Sequence, residues 1–132
     1  VDVVIALDQA DAARDALAAR GYAVTLDDRP TRFVMRAAGD RSIDVHTVRF
    51  DADGGGVQIL PGGRAFRYPP EGFAGIGAMG GRTVRCLTPE VQDLCHRGYD
   101  PDEKDHHDMR LLREHFGLTT PWPPVGEPDN MT

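Results

Sequence analysis

The stretch that decides the fold is RSIDVHTVRFD, residues 41–51, in which apolar and polar side chains alternate. Successive side chains of a β-strand point to opposite faces, so residues two apart share a face. One face is predicted to carry Ile43, Val45 and Thr47, and the other is predicted to carry Asp44, His46 and Val48. This alternation is typical of a strand with one apolar face against a core and a second face that carries water or chemistry.

The residues before this strand predict a strand, a helix, a strand and then a hairpin. VDVVIAL, at residues 1–7, is rich in β-branched side chains and predicts a strand. Asp8 is predicted to cap the helix that follows, and Gly21 is predicted to end it. YAVTL predicts the next strand, and AGD is predicted to join TRFVMRA to RSIDVHTVRF as a hairpin.

The residues after this strand predict short strands and then two helices. Gly and Pro are concentrated in residues 51–81, which favours short strands and loops over an open site. RTVRCL predicts a strand, and the Thr-Pro pair that begins at Thr88 predicts a helix over 89–97. Asp100 is predicted to cap a second helix, which ends before Gly117.

Length and composition indicate one soluble domain that binds neither nucleic acid nor membrane. The chain has 132 residues and a formal net charge of -6, which disfavours contact with phosphate backbones. Its longest apolar run, VVIAL, is too short to span a bilayer and follows no signal peptide, so we predict a cytoplasmic protein. Cys86 and Cys95 lack the spacing of a zinc site and are predicted to be reduced structural thiols. Val1 begins the chain inside a strand pattern, which we interpret as the interior of a longer protein.

Two acids fall on predicted strands, Asp2 in the first strand and Asp44 in a later one. Strands that neighbour in a sheet lie roughly 4.8 Å apart, so two carboxylates on adjacent strands can face each other. Such charges repel unless a cation or a shared proton compensates them, and Mg²⁺ binds carboxylate oxygens together with water and substrate phosphates. The alternative, that the two acids lie on unrelated surfaces, stays open on these residues alone.

Six segments carry a family resemblance through their order and spacing: VDVVIA, LAARGY, PTRFVMR, RSIDVHTVRFDADGGGVQ, FRYPPEGF and GRTVRCLTPEVQDLCHRGYDPDEKDHHDMRLLREHFG. Together they resemble the nucleotidyltransferase superfamily, in particular the small-molecule enzymes typified by lincosamide and aminoglycoside nucleotidyltransferases. The resemblance implies an α+β fold, in which helices pack on a mixed β-sheet and further helices follow at the C-terminal end. Residues 1–117 then form the nucleotidyltransferase-like domain, and residues 118–132 form a Pro-rich tail.

The resemblance also implies roles for the two acids. In this family an Asp-x-Asp pair and a third carboxylate on a neighbouring strand hold the nucleotide phosphates through Mg²⁺. Asp2 matches the second Asp of the pair, and Asp44 matches the third carboxylate, which implies metal binding by both and a general-base role for Asp44. The first Asp of the pair would fall before residue 1, and the family's N-terminal helix with its Gly-rich start does not occur in this sequence.

Three further residues are candidates for binding nucleotide or substrate. Arg32 in PTRF offers a guanidinium fork that suits phosphate, and His46 lies two residues from Asp44, where it can orient substrate. A solvated arginine and a structural histidine are the competing interpretations. The resemblance places Asp105 on a C-terminal helix, where an acid can bind nucleotide or a cationic acceptor.

The function that the resemblance implies is transfer of a nucleoside monophosphate from a nucleoside triphosphate, ATP first among them, to a hydroxyl of a small molecule. An aminoglycoside or lincosamide antibiotic is the implied acceptor. A second interpretation is a non-catalytic, truncated nucleotidyltransferase-like domain that binds a nucleotide or a partner protein. A third is a metal-dependent phosphohydrolase that uses HHD at residues 106–108 and therefore requires Asp108. An open sheet edge near the N-terminus also predicts a homodimer.

Overall fold

The structure is a computed structural model that describes residues 1–124, and it confirms the α+β class. Its elements are β1 (Asp2–Ala6), α1 (Ala10–Ala18), β2 (Ala23–Asp28), β3 (Arg32–Ala37), β4 (Arg41–Phe50), β5 (Gly56–Ile59), β6 (Ala65–Tyr68), β7 (Gly75–Met79), β8 (Arg82–Cys86), α2 (Pro89–Cys95) and α3 (Glu103–Phe116). They fall into two compact units, of which the first is Val1–Arg67 and the second begins at Tyr68. One domain over residues 1–117 stays a prediction, and residues 125–132 of the predicted tail lie outside the described residues.

The strands of residues 1–124 form a six-stranded mixed sheet and a two-stranded antiparallel sheet of β7 and β8. The larger sheet has the order β2-β3-β4-β5-β6, and β1 pairs with β4 in parallel. The predicted hairpin of β3 and β4 is confirmed. Its turn holds Gly39 and Asp40 at positive φ angles of 75° and 57°, a backbone conformation that Gly and Asp tolerate better than other residues.

The core of the first unit contains one face of β3 and β4 and the start of α1. Phe33, Met35 and Val45 are almost fully buried and pack with Ala10, the first residue of α1. Partly buried side chains around this cluster are Val3, Ile5, Leu17, Tyr22 and Ile43. Removing these apolar groups from water is a main stabilising contribution to the fold. The predicted apolar face of β4 is therefore confirmed at Ile43 and Val45.

The opposite face of β4 is less open than the alternation predicts. Asp44 and His46 are partly exposed, but Val48 on the same face is fully buried. Thr47, which the alternation places on the apolar face, is also buried, and its hydroxyl donates to the carbonyl of Pro30. The expected face that carries water or chemistry does not extend to Val48, because alternation reports which residues share a face and not what covers it.

The predicted cap of the first helix is wrong. Asp8 lies in a 3-10 turn, Leu7–Gln9, and α1 begins after this turn without a side-chain cap. The backbone N–H of Ala10 donates to the carbonyl of Leu7. Because the turn's own carbonyl satisfies a donor at the helix start, no carboxylate is needed there.

The predicted cap of the last helix is also wrong, by two residues. Asp102 caps α3, and it forms a capping box with Asp105: each carboxylate accepts from the other residue's backbone N–H, at 2.8 and 3.0 Å. Both Asp100 and Asp102 have an acid three residues later, so spacing alone could not choose between them. The predicted end of the helix is confirmed, since Gly117 has a left-handed backbone with a φ of 67°.

The tail predicted from residue 118 packs on α3 as far as the structure describes it. The indole Nε1 of Trp122 donates to His106 Nδ1 at 3.0 Å, and the Arg113 guanidinium lies 5.4 Å from the indole ring centroid.

Among the described residues of the second unit, Asp93 is the buried charge, with 3% exposure. Its carboxylate accepts hydrogen bonds from Arg97 at 2.9 Å, from Arg113 at 2.5 Å and from the hydroxyl of Thr120 at 2.9 Å. These contacts join α2, α3 and the segment after Gly117. A buried charge is tolerated only with such partners, so this group is a structural junction.

Replacing Gly72 by alanine is expected to lower the free energy of unfolding by about 1–3 kcal/mol, as overpacking does. A Cβ at Gly72 would lie 2.5 Å from Cγ2 of Val91, a buried side chain of α2. Gly77→Ala is the matched control, because the nearest atom to its Cβ is Cys86 Sγ at 3.5 Å, an ordinary contact. Urea unfolding of both variants checks the prediction, and equal losses at the two glycines would contradict it.

The two cysteines are free thiols. Burial raises the pKa of the Cys95 thiol to about 12, so little reactive thiolate forms there. Among the helices of residues 1–124, none is long and apolar enough to cross a membrane.

Candidate active site

Parallel pairing of β1 with β4 brings the two predicted metal-binding acids together. Asp2 and Asp44 are register partners across these strands. Ligand atoms of Asp2, Asp44 and His46 lie within 4.8 Å of one another, and within residues 1–124 this is the one group of three such side chains. The alternative that the two acids lie on unrelated surfaces is therefore wrong.

Arg32 contacts the same group from β3, where it lies opposite His46. Its Nη1 donates to Oδ2 of Asp44 at 2.5 Å. The Arg32 side chain is 37% exposed and the Asp44 side chain is 22% exposed, so the ion pair remains accessible to a ligand. The guanidinium thus balances the charge of Asp44 and can also meet an anion that approaches from solvent.

The second oxygen of Asp44 has no hydrogen-bond donor among the described residues. Oδ1 is buried, and Nε2 of His46 lies 3.6 Å from it, which is beyond hydrogen-bond distance. A buried carboxylate oxygen without a donor costs about 1–3 kcal/mol or more. A divalent cation held by Asp2 and Asp44 would remove this cost, and hard cations such as Mg²⁺ prefer carboxylate oxygens. The donor set therefore fits a magnesium ion.

Gln58 is the residue of this site that the sequence argument missed. It lies on β5 and is 4% exposed, and its Nε2 is 2.9 Å from the carbonyl of Thr31 and 3.2 Å from Nδ1 of His46. The available signal was a polar side chain between the apolar positions of the short strand GVQI. That signal shows a need for hydrogen bonds but does not identify the partners, which lie 12 and 27 residues away.

Asp105, the remaining predicted site residue, lies in the second unit and already has partners. Besides its part in the capping box, its Oδ1 accepts from the hydroxyl of Tyr99 at 3.1 Å. Burial opposes ionisation, but the hydrogen bonds from the Asp102 backbone and Tyr99 hold the pKa of Asp105 below its ordinary value. These contacts explain Asp105 as the partner of the Asp102 cap, and nucleotide binding by it stays a prediction.

The HHD segment has contacts that do not resemble a metal site. Nδ1 of His106 accepts from Trp122, and Nδ1 of His107 lies 3.1 Å from Arg110 Nη2. Within the part of the chain that the structure describes, residues 106–108 belong to no group of three metal-binding side chains. The geometry therefore counts against a phosphohydrolase centred on Asp108.

Comparison with known proteins agrees with the geometry. A lincosamide resistance protein from Staphylococcus haemolyticus is 28% identical over 93 residues, which are 70% of this chain, and the match spans 57% of that relative's length. The crystal structure of the lincosamide antibiotic adenylyltransferase LnuA, lincomycin-bound, superposes with a TM-score of 0.71 at 25% identity, covering 85% of this chain and 70% of that one. A model of the aminoglycoside-2''-adenylyltransferase family matches residues 1–112. The chain therefore belongs to the aminoglycoside-2''-adenylyltransferase family.

Proposed function

We propose that this protein transfers a nucleoside monophosphate from a nucleoside triphosphate, ATP first among them, to a hydroxyl of a lincosamide or aminoglycoside antibiotic. The observation that carries the proposal is the Asp2 and Asp44 pair, with the buried Oδ1 of Asp44 lacking a donor among the described residues. The family match supports adenylyl transfer, and the likeness to a lincomycin-bound adenylyltransferase supports a small antibiotic as acceptor.

Asp44 is the proposed general base. It takes the proton of the acceptor hydroxyl as the hydroxyl oxygen bonds to the α-phosphorus and the bond from that phosphorus to the bridging oxygen breaks, which releases pyrophosphate. Arg32 donates to Oδ2 of Asp44, so Oδ1 is the oxygen available to a cation or a proton. Arg32 also supplies positive charge for the phosphate oxygens.

Mg²⁺ is the proposed cofactor, and the carboxylates of Asp2 and Asp44 would hold it. When bound, it neutralises charge on the triphosphate as pyrophosphate leaves. Asp2 is exposed and Asp44 is partly buried, so one ligand faces the solvent from which the nucleotide arrives. His46 lies beside them and contributes to orienting the substrate.

The test is a transfer assay on this chain with ATP, Mg²⁺ and either lincomycin or an aminoglycoside, with product mass as the readout. We expect one acceptor to gain the mass of an adenylyl group and the gain to require Mg²⁺. Calorimetric titration of ATP with and without Mg²⁺ separates the main alternative, because a non-catalytic domain binds nucleotide without transfer. If the chain shows neither nucleotide binding nor transfer, that result contradicts the proposal.

Two further predictions accompany this function. β1 and β2 each have one sheet neighbour among the described strands, and such edges can pair with a second copy, so a homodimer stays a prediction. A cytoplasmic location, where nucleoside triphosphates and Mg²⁺ are available, also stays a prediction.

A further inference from the structure

The amide of Gln58 has a single orientation that satisfies its neighbours. The carbonyl of Thr31 can only accept hydrogen bonds, and it lies 2.9 Å from Gln58 Nε2. Exchanging the amide's nitrogen and oxygen would place two oxygens against each other at this distance. Because Gln58 is 4% exposed, water could not relieve that repulsion. Nε2, with its two N–H donors, therefore faces both Thr31 and His46.

This orientation selects one tautomer of His46. Nε2 of Gln58 lies 3.2 Å from Nδ1 of His46, and an N–H donor at that position requires a lone pair on Nδ1. In the neutral imidazole the proton then resides on the other nitrogen, Nε2. That nitrogen is the one that lies 3.6 Å from Oδ1 of Asp44. His46 thus presents an N–H to the acid pair rather than a lone pair.

A metal-binding histidine needs the opposite arrangement. An imidazole that binds a metal through one nitrogen donates its other N–H to a carboxylate, a carbonyl or water. At His46 the partner of Nδ1 is the amide N–H of Gln58, which donates and does not accept. The contact with Gln58 therefore opposes metal coordination by Nε2 of His46, even though a ligand atom of this side chain lies within 4.8 Å of both carboxylates.

We propose that Gln58 is a positioning residue that holds His46 as an N–H donor to the anionic oxygens of the site, which leaves the metal to Asp2 and Asp44. The ligand that this donor suits is a phosphate oxygen of the nucleotide. The inference rests on the proposed function for the identity of the metal and the nucleotide. The tautomer follows from the contacts of Gln58 and His46 alone.

The first test is long-range ¹H–¹⁵N NMR of the metal-free protein at mildly alkaline pH. The signals of His46 are assigned from their loss in His46→Gln. We expect Nε2 to be protonated and Nδ1 to be bare in the wild type. In Gln58→Leu the preference should weaken, since no donor then faces Nδ1, and in Gln58→Glu it should reverse, since a carboxylate accepts from Nδ1–H. A wild-type His46 protonated on Nδ1 overturns the inference even if neither variant folds.

Gln92→Leu is the matched control. Gln92 also donates its side-chain N–H to a backbone carbonyl, that of Leu87 at 2.8 Å, but it lies in the second unit. We expect this change to leave the tautomer of His46 as in the wild type. A shift as large as that in Gln58→Leu would show that general loosening, and not the contact with Gln58, controls the imidazole.

The second test adds metal. Mg²⁺ is expected to leave the Nε2–H signal of wild-type His46 in place, whereas Gln58→Glu should bind Zn²⁺ at His46 about tenfold more tightly than the wild type, because an acceptor for Nδ1–H supports coordination through Nε2. Loss of the Nε2–H signal on adding Mg²⁺ to the wild type would overturn the inference. If Mg²⁺ does not bind, the proposed function fails, while the metal-free spectra still decide the role of Gln58.

Discussion

Asp44→Asn is expected to reduce nucleotide transfer by about 10²–10⁴-fold, the usual contribution of a general base, and to weaken Mg²⁺-dependent ATP binding. The amide keeps the size of the side chain but removes its negative charge. It can neither accept the proton of the acceptor hydroxyl nor balance a divalent cation beside Asp2. Single-turnover transfer and calorimetric titration of ATP in the presence of Mg²⁺ measure the two effects.

Folding must be separated from chemistry in this experiment. Asp44→Asn also removes the charge partner of Arg32, but that side chain is 37% exposed, so we expect a small change in the midpoint of thermal unfolding. Asp15→Asn is the control, because Asp15 is an exposed acid on α1 that pairs with Arg14 and lies outside the metal-binding group. If Asp44→Asn transfers the nucleotide at the same rate as Asp15→Asn, that result contradicts the assignment of Asp44 as the general base.

Asp93→Ala is expected to lower the free energy of unfolding by about 3 kcal/mol, the lower end of the range for removing one partner of a buried ion pair. The variant leaves Arg97 and Arg113 without their shared carboxylate, and both side chains are less than one fifth exposed. It also removes the acceptor of the Thr120 hydroxyl. Urea unfolding measures the loss, and Asp100→Ala, at an exposed acid of the same unit, should change stability by about 0.5 kcal/mol or less.

Asp93 should also make stability depend on pH. Burial raises the pKa of Asp93, but hydrogen bonds from Arg97, Arg113 and Thr120 together hold it below its usual value of 3.8. Because the folded-state pKa is the lower one, this stabilisation is present above about 3.8 and is lost as the pH falls through the folded-state value. Asp93→Asn should flatten the acid limb of the stability curve, and an unchanged acid limb would argue against the role of this carboxylate.

Much of the fold could be predicted because its signals are local. β-branched alternation predicted β4, the Thr-Pro pair predicted the start of α2, and the left-handed preference of Gly117 predicted the end of α3. Helix caps were less predictable. Spacing offered two equivalent candidates for α3, and a 3-10 turn replaced Asp8 at the start of α1.

The site shows the same division. Asp2 and Asp44 could be paired from the sequence, because each lies in a recognisable strand and the family resemblance makes those strands neighbours. Which oxygen of Asp44 remains without a donor could not be predicted, because it depends on the approach of Arg32 from β3. The tautomer of His46 could not be predicted either, because it depends on the contact with Gln58 of β5.

By itself, the sequence determined the order of most elements, because backbone preference and side-chain alternation act between near neighbours. Its family resemblance implied the α+β class and the two acids proposed to hold the metal. Only the tertiary structure decided that Val48 is buried, that Asp93 joins two helices to the segment after them, and that the amide of Gln58 contacts His46. The physical reason is that burial and hydrogen-bond partnership are properties of the surroundings of a side chain. Residues far apart in the chain supply those surroundings after it has folded.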